Sequence, residues 1–542
     1  MVYFTSNSQE ISSETAARTD RSSKVEDFFN GKADLTALAA IEETLQHDYE
    51  YFLCKLSDVA VSGQSTDFEV PESPLTTEAF CNFLQGLLTC SAPVFSPEFV
   101  GHMTSALPKH AIMMSKILAA TNQNVVKVET SNQFTALEKS IINYFHKLCY
   151  QSDYSEGSIQ SELSLGNFCS GGTVANLSAL WVARNRVLGA NVGEVGLLKA
   201  LKDCSYDDLA IVVSESGHYS LKKAADLLGI GKENLIAVKT DSHHKIDIAD
   251  LRKTLSRLRD DNIGVLAIVG VAGATETGVI DPLNEMADLA REYQCHFHVD
   301  AAWGGASLLS DQHREMFSGI EKADSVTIDA HKQLYVPMGA GMVLFKDPHA
   351  VQSISHHANY IIRKGSDDLG AHTIEGSRGA VAAMVAANLA LLGKKGMSQL
   401  IDNSIEKAKA LATHIATLTD FELTSDPTLC ILTYRYAPDS LMSSLNLLDA
   451  ESRYTALEML DELNKEIQET QRDTGIGFVS RTKIRVNKEE QKRVVFRVVL
   501  ANPLTQMSHL TAILDEQIRI ASQSEGLTKL NQYIQHSLKR SA

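Results

Sequence analysis

Apolar positions change their spacing along the chain. From Asp34 to Leu88 they recur at helical intervals: Leu35, Leu38, Ile41 and Leu45, then the run from Tyr51 to Leu56. The loop SGQSTDFEVPESPL interrupts this segment. Two or three helices without strands cannot enclose a core, so residues 33–95 are expected to pack on the main body or on a second subunit. Residues 1–32 are polar and rich in Ser and Thr, the composition of a flexible tail. Gln151–Glu162 (QSDYSEGSIQSE) is a polar connector.

From Gly166 the texture becomes one of alternating strands and helices. Short apolar runs predict strands at Leu209–Ser214, Leu235–Lys239, Val265–Val271, His296–Val299, Ser325–Ile328 and Met342–Phe345. Amphipathic stretches predict helices at Thr173–Leu188, Ser220–Leu228, Ile248–Arg259 and Leu283–Tyr293. Asp281-Pro282 reads as a helix cap followed by proline at the first helical position. This is the pattern of an α/β sheet covered by helices on both faces, with ligands bound beyond the strand ends. An alanine-rich helix, Ala380–Leu392, is expected to close the large domain (96–395) at Gly393. Residues 396–542, with the strand-like RVVFRVVL at 493–500, read as a smaller α+β domain.

Composition narrows the classes. At 542 residues the chain is too long for one core. A net charge of −17 argues against nucleic acid or an anionic membrane as partner. The eight cysteines show no CxxC spacing, which suits buried free thiols in a reducing compartment. The N-terminus has no signal-like apolar stretch, and a cytoplasmic protein is expected. The adjacent pairs His243-His244 and His356-His357 are poorly placed to chelate one ion, so no metal site is expected.

Two expected strands end in polar tips: Asp300 after the first, Asp329-Ala330-His331-Lys332 after the second. A carboxylate and a lysine at buried strand ends are costly without a partner. One cofactor needs both, because a pyridine nitrogen is kept protonated by a carboxylate and an aldehyde is held covalently by a lysine. The expected cofactor is pyridoxal 5'-phosphate. Ser170-Gly171-Gly172-Thr173 precedes a helix and suits either a phosphate or simple capping. GIGKEN at 229–234 lacks the Walker ending and reads as a turn. His218 (in SESGHY) and Thr275 (in GATETG) each follow a strand. There a histidine suits a turn or a place against the ring, and a threonine can reach a ring substituent.

SGGTVANLSAL, SESGHYS, HVDAAWGG and DAHKQL, in this order, resemble the group II pyridoxal-phosphate-dependent amino-acid decarboxylases. SPEFVGHMTSALP, TALE, EGSRGA and FRVVLANP extend the resemblance over about residues 95–510. The resemblance implies the type I, aspartate-aminotransferase-like fold with a mainly parallel seven-stranded sheet, and a homodimer with active sites at the interface. It implies Lys332 on the cofactor aldehyde, Asp300 on the ring nitrogen and His218 stacked on the ring. Gly172, Thr173, Asp329 and His331 would lie at the phosphate, with Ala302 and Thr275 lining the cofactor. His102 and Arg497 fall at positions that relatives use for substrate. Where many relatives carry a proton-donating loop tyrosine, residues 361–378 have none. His372 is the titratable replacement, while Tyr360 lies just outside. The expected reaction is decarboxylation of an acidic amino acid, L-aspartate to β-alanine, with L-glutamate to GABA as the alternative. Aldehyde synthesis, transamination and aromatic substrates stay open on the same fold. Lys332 and Asp300 argue against a noncatalytic homologue.

Overall fold

The computed structural model describes residues 69–89, 91–152, 154, 163–189, 191–204, 206–357, 365–486 and 491–541. The expected tail, the start of the N-terminal helical segment, most of the connector and Tyr360 lie outside the described residues. Within the N-terminal segment, Thr77–Thr89 forms a helix.

The main body is built on seven strands: β1 (Gly166–Cys169), β2 (Asp208–Ser214), β3 (Leu235–Val238), β4 (Ile263–Val271), β5 (His296–Asp300), β6 (Ser325–Ile328) and β7 (Gly341–Phe345). Their order is β1-β7-β6-β5-β4-β2-β3. The five from β3 to β6 run parallel, and β7 is antiparallel to both β6 and β1. Strands buried on both faces read as continuous apolar runs, which is why six were legible to within two residues. β1 was not. It is four residues long (GNFC), and its strand character comes from pairing with β7, Gly166 opposite Leu344 and Cys169 opposite Gly341. A side chain at Gly166 would stand 2.2 Å from the Val343 carbonyl oxygen.

The covering helices are α1 (Gln133–Tyr150), α2 (Gly172–Leu188), α3 (Ser220–Leu227), α4 (Ile248–Asp260) and α5 (Leu283–Glu292). α4 is capped by Asp247, whose carboxylate accepts from the amides of Ala249 at 2.8 Å and Asp250 at 3.0 Å. α5 corrects the expectation. Pro282 itself takes the cap position, and Asp281 accepts from the amides of Ile246 at 2.8 Å and Val271 at 2.9 Å. Asp281 thus ties the end of β4 to the turn after β3. Burial pushes its carboxyl up to about 6 against those two donors.

The alanine-rich helix, α6, spans Ala382–Ile415 and breaks at Gly393, where φ is 65° and ψ 171°. Beyond it β8 (Phe421–Leu423), β9 (Ile431–Tyr436), β10 (Ser480–Arg485) and β11 (Lys492–Val499) form an antiparallel sheet in the order β10-β11-β9-β8. Residues 96–105 run alongside this sheet. The Val100 amide donates to the Phe478 carbonyl at 2.9 Å, and the rings of Phe99 and Phe478 stack at 4.6 Å. Two motifs distant in sequence meet in a buried fork, Arg378 donating to both oxygens of Glu138 at 2.8 and 2.7 Å. Among the described residues, no helix is long and apolar enough to cross a membrane and no cluster of three metal-ligating side chains occurs.

Candidate active site

β5 and β6 are parallel neighbours with Asp300 paired to Thr327, so Asp300 and the turn Asp329–Lys332 emerge at the same end of the sheet. Asp300 is buried, its Oδ1 accepting from the Ala302 amide at 3.2 Å and its Oδ2 from Asn176 Nδ2 at 2.8 Å. Lys332 Nζ stands 3.0 Å from Asp329 Oδ2. His331 Nδ1 donates to the Ala340 carbonyl at 2.7 Å, leaving Nε2 3.6 Å from the same Asp329 oxygen. The other Asp329 oxygen is buried without a hydrogen-bond partner.

α2 begins at Gly172 against this turn with no side-chain cap. A Cβ at Gly172 would come 2.9 Å from Asp329 Oδ2 and 3.3 Å from the Ala302 methyl, so only glycine leaves room here. An uncapped helix start carries amides and partial positive charge suited to a phosphate. These residues fit pyridoxal phosphate: an anion-accepting helix start with Thr173, a lysine, and a buried carboxylate on the neighbouring strand. Glu375 is an unforeseen neighbour, accepting from the Ser170 amide at 3.0 Å.

His218 stands after β2 with its Nδ1 2.8 Å from Ser220 Oγ. Burial lowers its pKa; Asp300 opposes that effect and Lys332 adds to it. On the substrate side, Arg497 of β11 donates from Nε to the Thr275 carbonyl at 2.5 Å. Its Nη1 donates to the Gly101 carbonyl and to Ser480 Oγ, each at 3.2 Å. Nη2 is buried with no partner. Burial lowers the guanidinium to about 10, with Glu276 opposing. His102 follows Gly101, whose carbonyl accepts from Arg497, and its pKa is lowered by desolvation first, then by Arg497 and Lys332.

A family model described as "Pyridoxal-dependent decarboxylase conserved domain" matches residues 63–437. The chain belongs to this family. It is an amino-acid decarboxylase, a carboxy-lyase that uses pyridoxal phosphate. It is 51% identical over 480 residues to an aspartate 1-decarboxylase of Aliivibrio fischeri, covering 86% of this chain and 88% of that one. It is 27% identical over 400 residues to an acidic amino acid decarboxylase of Xenopus tropicalis, covering 72% and 75%. The fold matches a crystal structure of mouse CSAD in apo form with a TM-score of 0.77 at 22% identity, covering 89% of this chain and 99% of that one.

Not every expected residue joins the decarboxylase site. His372 is buried, with Nδ1 2.9 Å from Ser355 Oγ, and its carbonyl accepts from Asn167 Nδ2 at 3.0 Å. Burial lowers it to about 4, and the charges acting on it are His357 and Lys139 rather than Lys332. Within one chain His372 is therefore a neutral histidine packed against Ser355. The sequence reading missed Asn176, Ser220 and His298. The signal for Asn176 and His298 was polarity inside otherwise apolar stretches; Ser220 lies in the polar SESGHYS segment.

Proposed function

We propose that the protein is an aspartate 1-decarboxylase, converting L-aspartate to β-alanine and CO2, and that it works as a cytoplasmic homodimer. The observation that carries the substrate reading is Arg497, a buried guanidinium on the Gly101 carbonyl whose Nη2 has no partner among the described residues. A buried donor on a cation is costly unless a ligand answers it, and a carboxylate of the substrate is the natural acceptor. The resemblance to the aspartate 1-decarboxylase of A. fischeri supports the choice of acid.

Pyridoxal phosphate, when bound, supplies the sink for the electron pair left at Cα as CO2 departs. Lys332 anchors it through its aldehyde and Asp300 holds the proton on its ring nitrogen. His218 covers the ring, and the α2 start with Thr173 and His331 holds the phosphate. Arg497 orients the substrate, with His102 next to the Gly101 carbonyl that Arg497 holds. A dry site strengthens each of these contacts. The dimer reading is supported by the helix Lys109–Thr121, which leaves Ile112, Met113 and Ile117 exposed along it. The free cysteines, Cys149, Cys169, Cys295 and Cys430 among them, suit a reducing cytoplasm.

The test is a product screen over the standard amino acids and cysteine sulfinate. β-Alanine from L-aspartate should dominate, and Lys332→Ala should lose both the product and the cofactor's visible absorbance. GABA as main product would replace the substrate reading. Ammonia and peroxide without amine would replace the reaction.

A further inference from the structure

Behind the cofactor-facing residues lies a buried polar chain that none of their expected roles requires. Asn176, on α2, donates both amide hydrogens: one to Asp300 Oδ2 at 2.8 Å, the other to Ser220 Oγ at 3.1 Å. Its Oδ1 faces His298 Nε2 at 3.0 Å. His298 Nδ1 is 2.9 Å from Ser325 Oγ, which is 2.7 Å from His296 Nε2. All of these side chains are buried.

We propose that Asn176 is a positioning residue that couples Asp300 to His218 through Ser220, with His298 locking its amide.

The direction of every bond follows from one premise. An ionised Asp300 only accepts, so the Asn176 NH2 group must face it and the Asn176 carbonyl must face His298. His298 then carries its hydrogen on Nε2. Burial lowers both His298 and His296 to about 4, so each is uncharged at neutral pH and has one hydrogen to give. His298 Nδ1 therefore accepts from Ser325, and Ser325 accepts from His296. At the other end Ser220 Oγ, having accepted from Asn176, donates to His218 Nδ1. The Ser220 amide points at the same nitrogen from 3.3 Å. Two donors on Nδ1 leave the ring hydrogen on Nε2, so His218 offers the site a donor. The charged groups acting on His218 are Asp300 from β5, Lys332 and Asp329 from the turn after β6, and Lys223 from α3. The Tyr219 ring lies 4.3 Å away.

The inference rests on His218 and Asp300 facing the cofactor. It is tested in holoenzyme labelled with 15N-histidine, with the His218 signal identified by its loss in His218→Gln. Wild type should show a single Nε2–H tautomer. His298→Leu, with cofactor bound, should show mixed tautomers. Its kcat should fall on the order of 10- to 100-fold, the scale on which partners behind a functional group act, with KM nearly unchanged. His298→Gln, whose amide nitrogen can stand where Nε2 stood, should restore both readouts. If His298→Leu keeps the tautomer and kcat, or if Leu and Gln fail alike, the coupling is wrong. Should His298→Leu not fold, the isosteric Asn176→Asp, which turns donors into acceptors, should scramble the same signal, and an unchanged signal overturns the proposal. None of these outcomes alters which amino acid the product screen selects, so the two readings fail separately.

Discussion

Arg497→Lys tests the guanidinium proposed to face the substrate. Burial lowers Arg497 well below the usual guanidinium range, to about 10. At about 1.36 kcal/mol per pH unit, the charged form is disfavoured by on the order of 3 kcal/mol. Three of its hydrogen bonds go to Thr275, Gly101 and Ser480, and they fix the plane of the group rather than satisfy it. A substrate carboxylate on Nη2 relieves part of that penalty, because a hydrogen bond between charged partners contributes about 1.5–3 kcal/mol. Lysine keeps the charge but has one compact head, which cannot hold two carbonyls and a carboxylate together. Turnover of L-aspartate should therefore fall about 10- to 150-fold in kcat/KM, with most of the change in KM. Binding of L-aspartate and of L-alanine, each followed by the change it causes in the visible band, tells which carboxylate is held. If it is the side-chain carboxylate, only aspartate weakens; if it is the α-carboxylate, both weaken alike. A lysine variant that binds and turns over aspartate within twofold of wild type would falsify the role of Arg497.

Two further perturbations read other parts of the molecule. Gly172→Ala would push a methyl to within 2.9 Å of Asp329 Oδ2 where α2 starts, so the variant should fold but lose pyridoxal phosphate on dialysis faster than wild type, measured by the decay of the visible band. Acid should destabilise the protein steeply between about pH 6.5 and 4. Burial holds His146, His296, His298 and His372 at about 4, so each is neutral in the fold and protonated once unfolded in that window. Folded values below the unfolded ones mean that this stability is present above pH 6.5 and lost as pH falls through the window. Asp281, raised to about 6, has the opposite sign, its native form binding the proton that the unfolded form releases. Unfolding near pH 5 should then take up about three protons through these groups, a slope near 4 kcal/mol per pH unit. A stability–pH profile from urea titrations that is flat there would refute it.

The cofactor side was legible because its residues are local to strand ends. A parallel strand buried on both faces is an uninterrupted apolar run, and Asp300 and Lys332 stand out as the first charges after one. His372 illustrates the reverse. A histidine in a loop titrates near neutrality by default, and only tertiary burial removes that property. Asp281 followed local capping statistics until two backbone amides from elsewhere claimed its carboxylate. The substrate side could not be assembled from spacing at all. His102, the Thr275 carbonyl, Ser480 and Arg497 come from distant segments that meet where Arg497 of β11 donates to the carbonyls of Thr275 and Gly101 and to Ser480 of β10. Asn176 and His298 show the limit most clearly. Each is an ordinary polar residue in a helix or a strand, and neither has a direction until α2 crosses β5. A carboxylate that can only accept then orients the whole chain of bonds back to the His218 imidazole. Chemistry specified by one residue type at one strand end can be read from sequence; chemistry specified by the order of donors across four elements requires the fold.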